Sequence, residues 1–383
     1  MIVVSLAPEY RELLELVRRF ADVEVAPHAD RFEREHTFPR ELFDQLGELD
    51  LTGLPFAPDV GGSELPYGVY LRVIEELSRG YAVVGMGLSV HTLATWGITT
   101  YATPEQRERF VPDMVAGKLL GAYALSEPGS GSDAGGMVTR AVRDGDVYRL
   151  NGVKAWVTHG GVADRYLVMA RTSDEGSRGI SAFVVDADQE GMHVAAPEDK
   201  IAMWGSPTAQ LNFDDAPVAA DRLLGGEEGG GFRVALSSLD GGRLGIAACA
   251  VGLAQAALDQ AIAYAGEREQ FGQTIDRFQG VGFLLADMAA RTEAARALYR
   301  DTAARRDAGE TVTDRAAMSK LIATDATMQT TTDAVQVFGG YGVTRDFPVE
   351  RYLREAKILQ IVEGTNQIQR LVIARGLTSR TPR

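Results

Sequence analysis

The stretch "DVYRLNGVKAWVT", Asp146 to Thr158, decides the fold, because here the spacing of apolar residues changes. Two strand-like runs rich in Val, Tyr and Trp flank Asn151-Gly152, a dipeptide suited to a tight hairpin turn. "RYLVMAR", "ISAFVVDAD", "GMHVAAP" and "AQLNFDD" follow at short spacing with turn residues between them. The region from about Gly121 to Gly230 therefore reads as a β domain, a small barrel or sandwich.

On both sides the period is helical. Before it, Leu13, Leu14, Val17 and Phe20 recur on one face behind Pro8, which suits a first helical turn. Leu42, Leu46 and Leu49 repeat the theme, and further helices are expected over Tyr67 to Ser78 and about Val84 to Tyr101. After the glycine-rich joint "GGEEGGGF", Val251, Ala254, Leu258, Ile262 and Ala265 form one stripe; Val281, Leu284, Leu285, Met288, Ala295 and Leu298 form another. The Ala and Gly residues of 241–257 suit closely packed antiparallel helices. The expected organisation is mainly α with a central β domain: an N-terminal α-helical domain over 1–120, a middle β domain over 121–228 and a C-terminal four-helix bundle over 229–383.

The 383 residues carry a net charge of −14 with Lys and Arg dispersed, which argues against a nucleic-acid partner. A single cysteine, Cys249, excludes an internal disulfide and fits a reducing cytoplasm; within its Ala/Gly-rich run it reads as a packing thiol. The N-terminus lacks the basic region of a secretory signal, and no unbroken run of 18 apolar residues suggests a membrane span. The five histidines are scattered without metal-ligand spacing, so no metal site is expected.

The loop "YALSEPGSGSDAGG", Tyr123 to Gly136, loosely matches a dinucleotide fingerprint through Gly129-x-Gly131-x-x-Ala134. That fingerprint requires a preceding strand, a following helix and an acidic residue about 20 positions on; here a β domain follows and Lys154 stands at that place. Near the other end, "IVEGTNQIQR" sets a lone carboxylate, Glu363, between an apolar pair and a Gly-Thr turn. It reads either as a snorkelling surface group or as a base kept partly dry.

Resemblance separates these readings. "ALSEPGSGSDAGG" resembles the first signature of the acyl-CoA dehydrogenase family and "QVFGGYGVTRDFPVERYLRE" the second, while "AKILQIVEGTNQIQRLVIAR" is similar to the family's catalytic segment. "KAWVTHGG", "EDKIAMWGSPTAQL" and "GGRLGIAACAVGLAQAALDQAIAYAGEREQFGQTIDRFQGV" extend the likeness over nearly the whole chain. The resemblance implies FAD-dependent α,β-dehydrogenation of a saturated acyl-CoA to a trans-2-enoyl-CoA. It implies an electron-transferring flavoprotein as acceptor, a homotetramer, and a place in fatty acid β-oxidation.

The resemblance also implies roles by position. Glu363 would be the base, its backbone N–H polarising the thioester carbonyl. Tyr123, Leu125, Ser126, Gly131, Ser132, Trp156, Thr158, Thr365 and Gln367 would contact FAD. Arg268, Phe271, Gln279 and Gln336 to Gly340, Gly339 included, would reach the FAD of a neighbouring subunit. Ser132, Asp240, Arg243 and Gly364 would contact the acyl-CoA. Two family branches carry the base just before the arginine, where this chain has Gly242. The glutaryl branch has an arginine near the start of the "LSVH" helix, where Gly85 stands, which argues against a glutaryl substrate. His91 and Trp96 on that helix are read as packing residues. Chain length and branching stay open, as do a carrier-protein-linked substrate and the enoyl-reducing direction.

Overall fold

The computed structural model describes residues 7–379. The N-terminal helices are α1 (Pro8–Phe20), α2 (Ala29–Glu35), α3 (Arg40–Glu48), α4 (Tyr67–Gly80), α5 (Ala82–Tyr101), α6 (Pro104–Phe110) and α7 (Pro112–Val115). Proline enters α1 and α6 in the first turn, where its missing N–H costs nothing, and a Thr103–Gln106 capping box closes the start of α6. Val17 and Phe20 are buried as the spacing predicts. Leu49 is 38% exposed because α3 ends one residue before it.

A seven-stranded sheet follows, ordered β1-β4-β2-β3-β7-β6 with β5 also on β4. Its strands are β1 (Gly121–Ala124), β2 (Arg140–Asp144), β3 (Val147–Thr158), β4 (Arg165–Arg171), β5 (Ile180–Asp186), β6 (Met192–Val194) and β7 (Thr208–Ala219). The hairpin expected at Asn151-Gly152 is not there. β3 runs through both residues and is bulged against β7 between Leu150 and Gly152, and again between Lys154 and Val157. Gly152 has φ +142°, and a Cβ on it would lie 2.5 Å from Thr139 Oγ1, so glycine serves a close approach within one strand. The tight turn lies six residues earlier, where Asp144 pairs with Val147 and Gly145 has φ +60°.

The C-terminal part comprises α8 (Gly231–Glu267), the short pair β8 (Glu269–Gln270) and β9 (Gln273–Thr274), α9 (Gln279–Asp307), α10 (Thr313–Phe338), α11 (Val349–Leu359) and α12 (Asn366–Ser379). The α8 helix is buried almost all round over Gly242–Ala254. Small residues allow this: a Cβ on Gly245 would lie 1.9 Å from Ser89 Oγ, and one on Gly252 would lie 2.2 Å from Glu75 O. The predicted α8 stripe is accordingly wider than expected, although Ile262 is half exposed. One hydrophobic core joins the helices of both ends, with Leu77, Val84 and Leu88 packed with Leu244, Val251 and Ala257. Two further cores lie on the faces of the sheet, so β4 and β5 are buried on both sides.

Two helices, Ala82–Tyr101 and Gly231–Glu267, have the length and mean hydropathy of a membrane span. Their most apolar windows are 89% and 72% buried inside the protein, so both are core helices here. Cys249 lies in this core with its thiol 3.6 Å from Ala82 O; burial pushes its pKa up to about 12, which removes thiolate chemistry near neutral pH.

Candidate active site

Between α11 and α12 the chain turns through Gln360–Thr365. Glu363 and Gly364 there are consecutive left-handed residues, with φ +54° and +86°. Glycine adopts this freely; for Glu363 it is strain of roughly 1–2 kcal/mol, which the surroundings must offset. Lys320 on α10 donates to Gly364 O (3.1 Å) and Asn366 Oδ1 (2.8 Å). Gln369 donates to Glu363 O (3.2 Å) and Gly364 O (2.8 Å), and Asn366 donates to Asp325 Oδ1 (2.7 Å). Lys320 and Gln369 are fully buried, so the turn is held from beneath.

Glu363 as a residue is half-buried, yet its Oε2 is enclosed and has no hydrogen-bond partner among the described residues. It points at α8: a Cβ on Gly242 would lie 2.6 Å from that oxygen. Burial pushes the carboxyl up to about 7, against the pull of Arg243 and Lys320. Arg243 is itself anchored, donating to Asp240 Oδ1 (2.7 Å), while Asp240 Oδ2 accepts from Thr313 Oγ1 (2.6 Å). Asp240 and Arg243 thus frame the Glu363 carboxyl from α8, and Lys320 does so from α10.

On the sheet side, Glu127 and Lys154 form a fully buried pair at 2.8 Å. Glu127 also accepts from Val138 N (2.6 Å) and Thr139 N (2.9 Å), and Lys154 donates to Leu125 O (3.0 Å). These bonds stake both ends of the 126–136 loop while its middle stays open. Gly131 and Ser132 are exposed, and a Cβ on Gly129 or Gly131 would meet nothing within 4 Å. Ala155 N donates to Ser126 O (2.8 Å), bringing β3 against the loop. At the second bulge Trp156 has φ +60° and is 60% exposed, so the bulge turns its indole outward. A bare aromatic face beside an open loop of backbone N–H and hydroxyl groups fits a flavin and its pyrophosphate. Tyr123 and Thr158 are half-buried at the loop and the strand end, Leu125 and Ser126 lie between them, and Tyr123 donates to Ala235 O (3.1 Å).

Other residues expected at the cofactor lie elsewhere in the chain. Arg268, Phe271, Gln279, Gln336, Gly339 and Gly340 are all exposed, with Phe271 at 95%. They gather where α8 and α10 end and α9 begins, and the Arg268 guanidinium lies over Tyr341 at 5.9 Å. One helix separates them from Arg243, and its 24 residues to Glu267 span about 36 Å. Thr365 accepts from Ile368 N (3.3 Å) at the start of α12, and Gln367 is exposed.

Four residues of interest escaped the sequence reading: Tyr67, Ser238, Lys320 and Arg306. Tyr67, Ser238 and Arg306 line a cavity beside Gly242, together with Trp96, which therefore has a pocket face as well as a packing one. His91 is a packing residue, accepting from Gly121 N (2.9 Å) and contacting Met114 O (3.0 Å). No spacing rule points to Arg306, which reaches the cavity from the far end of α9.

The chain matches the acyl-CoA dehydrogenase N-terminal domain over residues 7–118, the middle domain over 122–216 and the C-terminal domain over 229–378. It is 45% identical over 369 residues to an acyl-CoA dehydrogenase of Bacillus subtilis, covering 96% of this chain and 97% of that protein. Butyryl-CoA dehydrogenase from Megasphaera elsdenii superposes with a TM-score of 0.96 at 39% identity, covering 98% of this chain and 100% of that one. A chain in the structure of the electron transferring flavoprotein of Acidaminococcus fermentans also gives 0.96, at 41% identity, covering 98% and 99%. With three domain matches in order along the chain and a relative 45% identical over nearly its full length, this chain belongs to the acyl-CoA dehydrogenase family, oxidoreductases that act on CH–CH bonds.

Proposed function

We propose that the protein removes the α-proton of a saturated acyl-CoA with Glu363, the β-hydrogen leaving as hydride, to give a trans-2-enoyl-CoA. The observation that carries this reading is the Glu363 carboxyl, enclosed, without a partner on Oε2 among the described residues, and held on a strained turn against α8. A thioester α-proton is a weak acid, and a carboxylate raised to about 7 is a stronger base than one in water while still ionised near neutrality. The Glu363 backbone N–H is free of the bonds that hold the turn's carbonyls, and in this reading it donates to the thioester oxygen as charge builds there. Arg243 and Lys320 keep the site's charge balanced without touching the proton in flight.

Tyr123, Leu125, Ser126, Gly131, Ser132, Trp156 and Thr158 would hold FAD, with Thr365 and Gln367 from the α12 start, and bound FAD supplies the hydride acceptor. The Arg268–Gln279 and Gln336–Gly340 groups would serve a second copy of the chain, because α8 keeps them too far from this chain's own base. That arrangement supports a homo-oligomer, a tetramer in our reading. The flavoprotein-associated neighbour supports an electron-transferring flavoprotein as the next acceptor. Ser132, Asp240, Arg243 and Gly364 would line the thioester path.

Anaerobic titration with saturated acyl-CoAs, following flavin absorbance, tests this. Bleaching by one class of thioester, lost in Glu363→Gln while FAD stays bound, is the expected result. A protein that cannot be reconstituted with FAD, or one bleached equally after Glu363→Gln, overturns it.

A further inference from the structure

Two buried histidines, one on α5 and one just past the end of β3, hold the two backbone groups of a single residue, Gly121. His91 accepts from Gly121 N at Nδ1 (2.9 Å) and donates from Nε2 to Met114 O (3.0 Å). His159 donates from Nδ1 to Gly121 O (3.0 Å). These partners fix the tautomers, with the proton on Nε2 in His91 and on Nδ1 in His159. Burial lowers both imidazoles to about 4, so both rings are neutral near pH 7. Among the described strands β1 pairs only with β4, and the N–H and C=O of one strand residue point to the same side. Gly121 therefore needs partners on its open side, and the two rings are those partners.

The surroundings are shaped for these rings. His159 has φ +65°, a strained conformation for a residue with a side chain, and its ring meets Phe38 and Phe43 edge to face at 5.6 Å. A Cβ on Gly87 of α5 would lie 2.9 Å from His159 Nε2, a nitrogen without a partner among the described residues. The clamp also closes a frame. β1 and β3 are not neighbours in the sheet, yet His159 ties to Gly121 at one end, and at the other Ala155 N donates to Ser126 O (2.8 Å). Tyr123 stands between these ties on one segment, and Trp156 and Thr158 on the other. Two residues beyond His91 on α5, Leu93 Cδ1 lies 2.7 Å from the place of a Cβ on Gly242, the same point that Glu363 Oε2 approaches at 2.6 Å. One helix thus meets both the frame and the surroundings of the Glu363 carboxyl.

We propose that His91 and His159 are positioning residues: by clamping Gly121 they set the frame that carries Tyr123, Trp156 and Thr158 against α5, and so against Glu363. This rests on the reading of that frame as the flavin site and of Glu363 as the base. Neither ring touches the reacting atoms. Hydride and proton leave adjacent carbons of one substrate, so the flavin site and the carboxylate must keep their separation to within about 0.5 Å. A neutral imidazole suits the task, because one ring nitrogen accepts while the other donates. A charged ring at His91 would turn a second N–H toward Gly121 N–H and break that bond.

The test uses the FAD-loaded enzyme and two substitutions at each histidine. Asparagine places an amide atom where Nδ1 stands and can reach Gly121; glutamine places it where Nε2 stands and cannot. At saturating acyl-CoA, kcat for flavin reduction per bound flavin should fall about 10- to 100-fold in His91→Gln and His159→Gln, and stay within about threefold of wild type in His91→Asn and His159→Asn. KM should change little in all four. A purely structural role would lower Tm and FAD content and leave kcat per bound flavin unchanged. That result, or asparagine variants as slow as the glutamine ones, would overturn the proposal. The tautomers give a check that does not depend on any variant folding. Solid-state NMR of the wild-type holoenzyme with isotope-labelled histidine should place the proton on Nε2 of His91 and Nδ1 of His159; the opposite tautomer at either ring overturns the clamp. If no acyl-CoA reduces the wild-type flavin, the reading of the reaction falls first and this proposal with it.

Discussion

Gly242 and Glu363 occupy one space from two sides: a Cβ on the glycine would lie 2.6 Å from the carboxyl oxygen and 3.1 Å from the carboxyl carbon. Leu93 Cδ1, at 2.7 Å from the same point, closes the third side. The glycine is therefore a condition for the position of the Glu363 carboxyl. Gly242→Ala should push the carboxyl off its line while the helix, which favours alanine, stays folded. We expect kcat to fall by about 100-fold or more with little change in Tm, since misplacement by about 1 Å is enough for such a loss. Full activity with an unchanged Tm would show that the carboxyl does not act from this position.

Glu363→Gln should lower flavin reduction by about 10²–10⁴-fold, the range a positioned base contributes. In the wild type, the acid limb of the kcat/KM profile should lie near pH 7, because burial raises the carboxyl to about 7 and only its ionised form accepts a proton. The stability sign runs the other way. A carboxyl whose folded pKa lies above its unfolded value of 4.5 binds the proton more tightly when folded, so the fold loses stability as pH rises from 4.5 to 7. Glu363→Gln should accordingly have a higher Tm than wild type at pH 8 and an equal one at pH 4.

Lys320 is buried beneath the same turn, and burial lowers its own pKa to about 7, opposed by Glu363 and Asp325. Lys320→Met removes its two hydrogen bonds to the turn and one of the two cations that restrain the Glu363 pKa. Stability should fall by roughly 2–4 kcal/mol, the range for losing a buried charge and its partners' bonds. The acid limb should also move to higher pH, a shift that loss of packing alone would not produce. A pH profile measured on the folded fraction separates the two effects.

The Glu127–Lys154 pair is expected to govern flavin retention. Glu127→Gln would leave a buried ammonium without its counter-charge, at a cost of about 3–5 kcal/mol, and would loosen the 126–136 loop. The purified variant should lose FAD on dilution where the wild type keeps it. Normal retention in a folded variant would show that the loop's shape does not depend on the pair.

Gly152→Ala tests the bulge directly. With φ +142° and Thr139 Cα at 2.7 Å from the new Cβ, the strand must shift along its contact with Thr139. A loss of about 2–4 kcal/mol is expected by chemical denaturation, from backbone strain and overpacking together.

The bulge also shows how far local sequence reaches. Asn151-Gly152 has the composition of a hairpin turn, but the real turn is at Gly145, and Asn151 uses its side chain to accept from Asp215 N (2.9 Å) in the paired strand. Propensity described the residues correctly and the partner strand decided their use. The same holds for Lys154. Its place in the sequence argued only against a dinucleotide fingerprint, because its partner Glu127 stands 27 residues earlier and only the fold joins them.

Periodicity alone determined the succession of helices, sheet and helices, since it depends on residues within a few positions of one another. The two signatures and the "IVEGT" segment pointed to Glu363 by resemblance. The dryness of its carboxyl, the space Gly242 leaves for it, the support from Lys320 and the place of Arg306 in the neighbouring cavity came only with tertiary structure. These are contacts between α8, α9, α10 and a turn far along the chain, and their energies arise from burial and charge that no single segment contains.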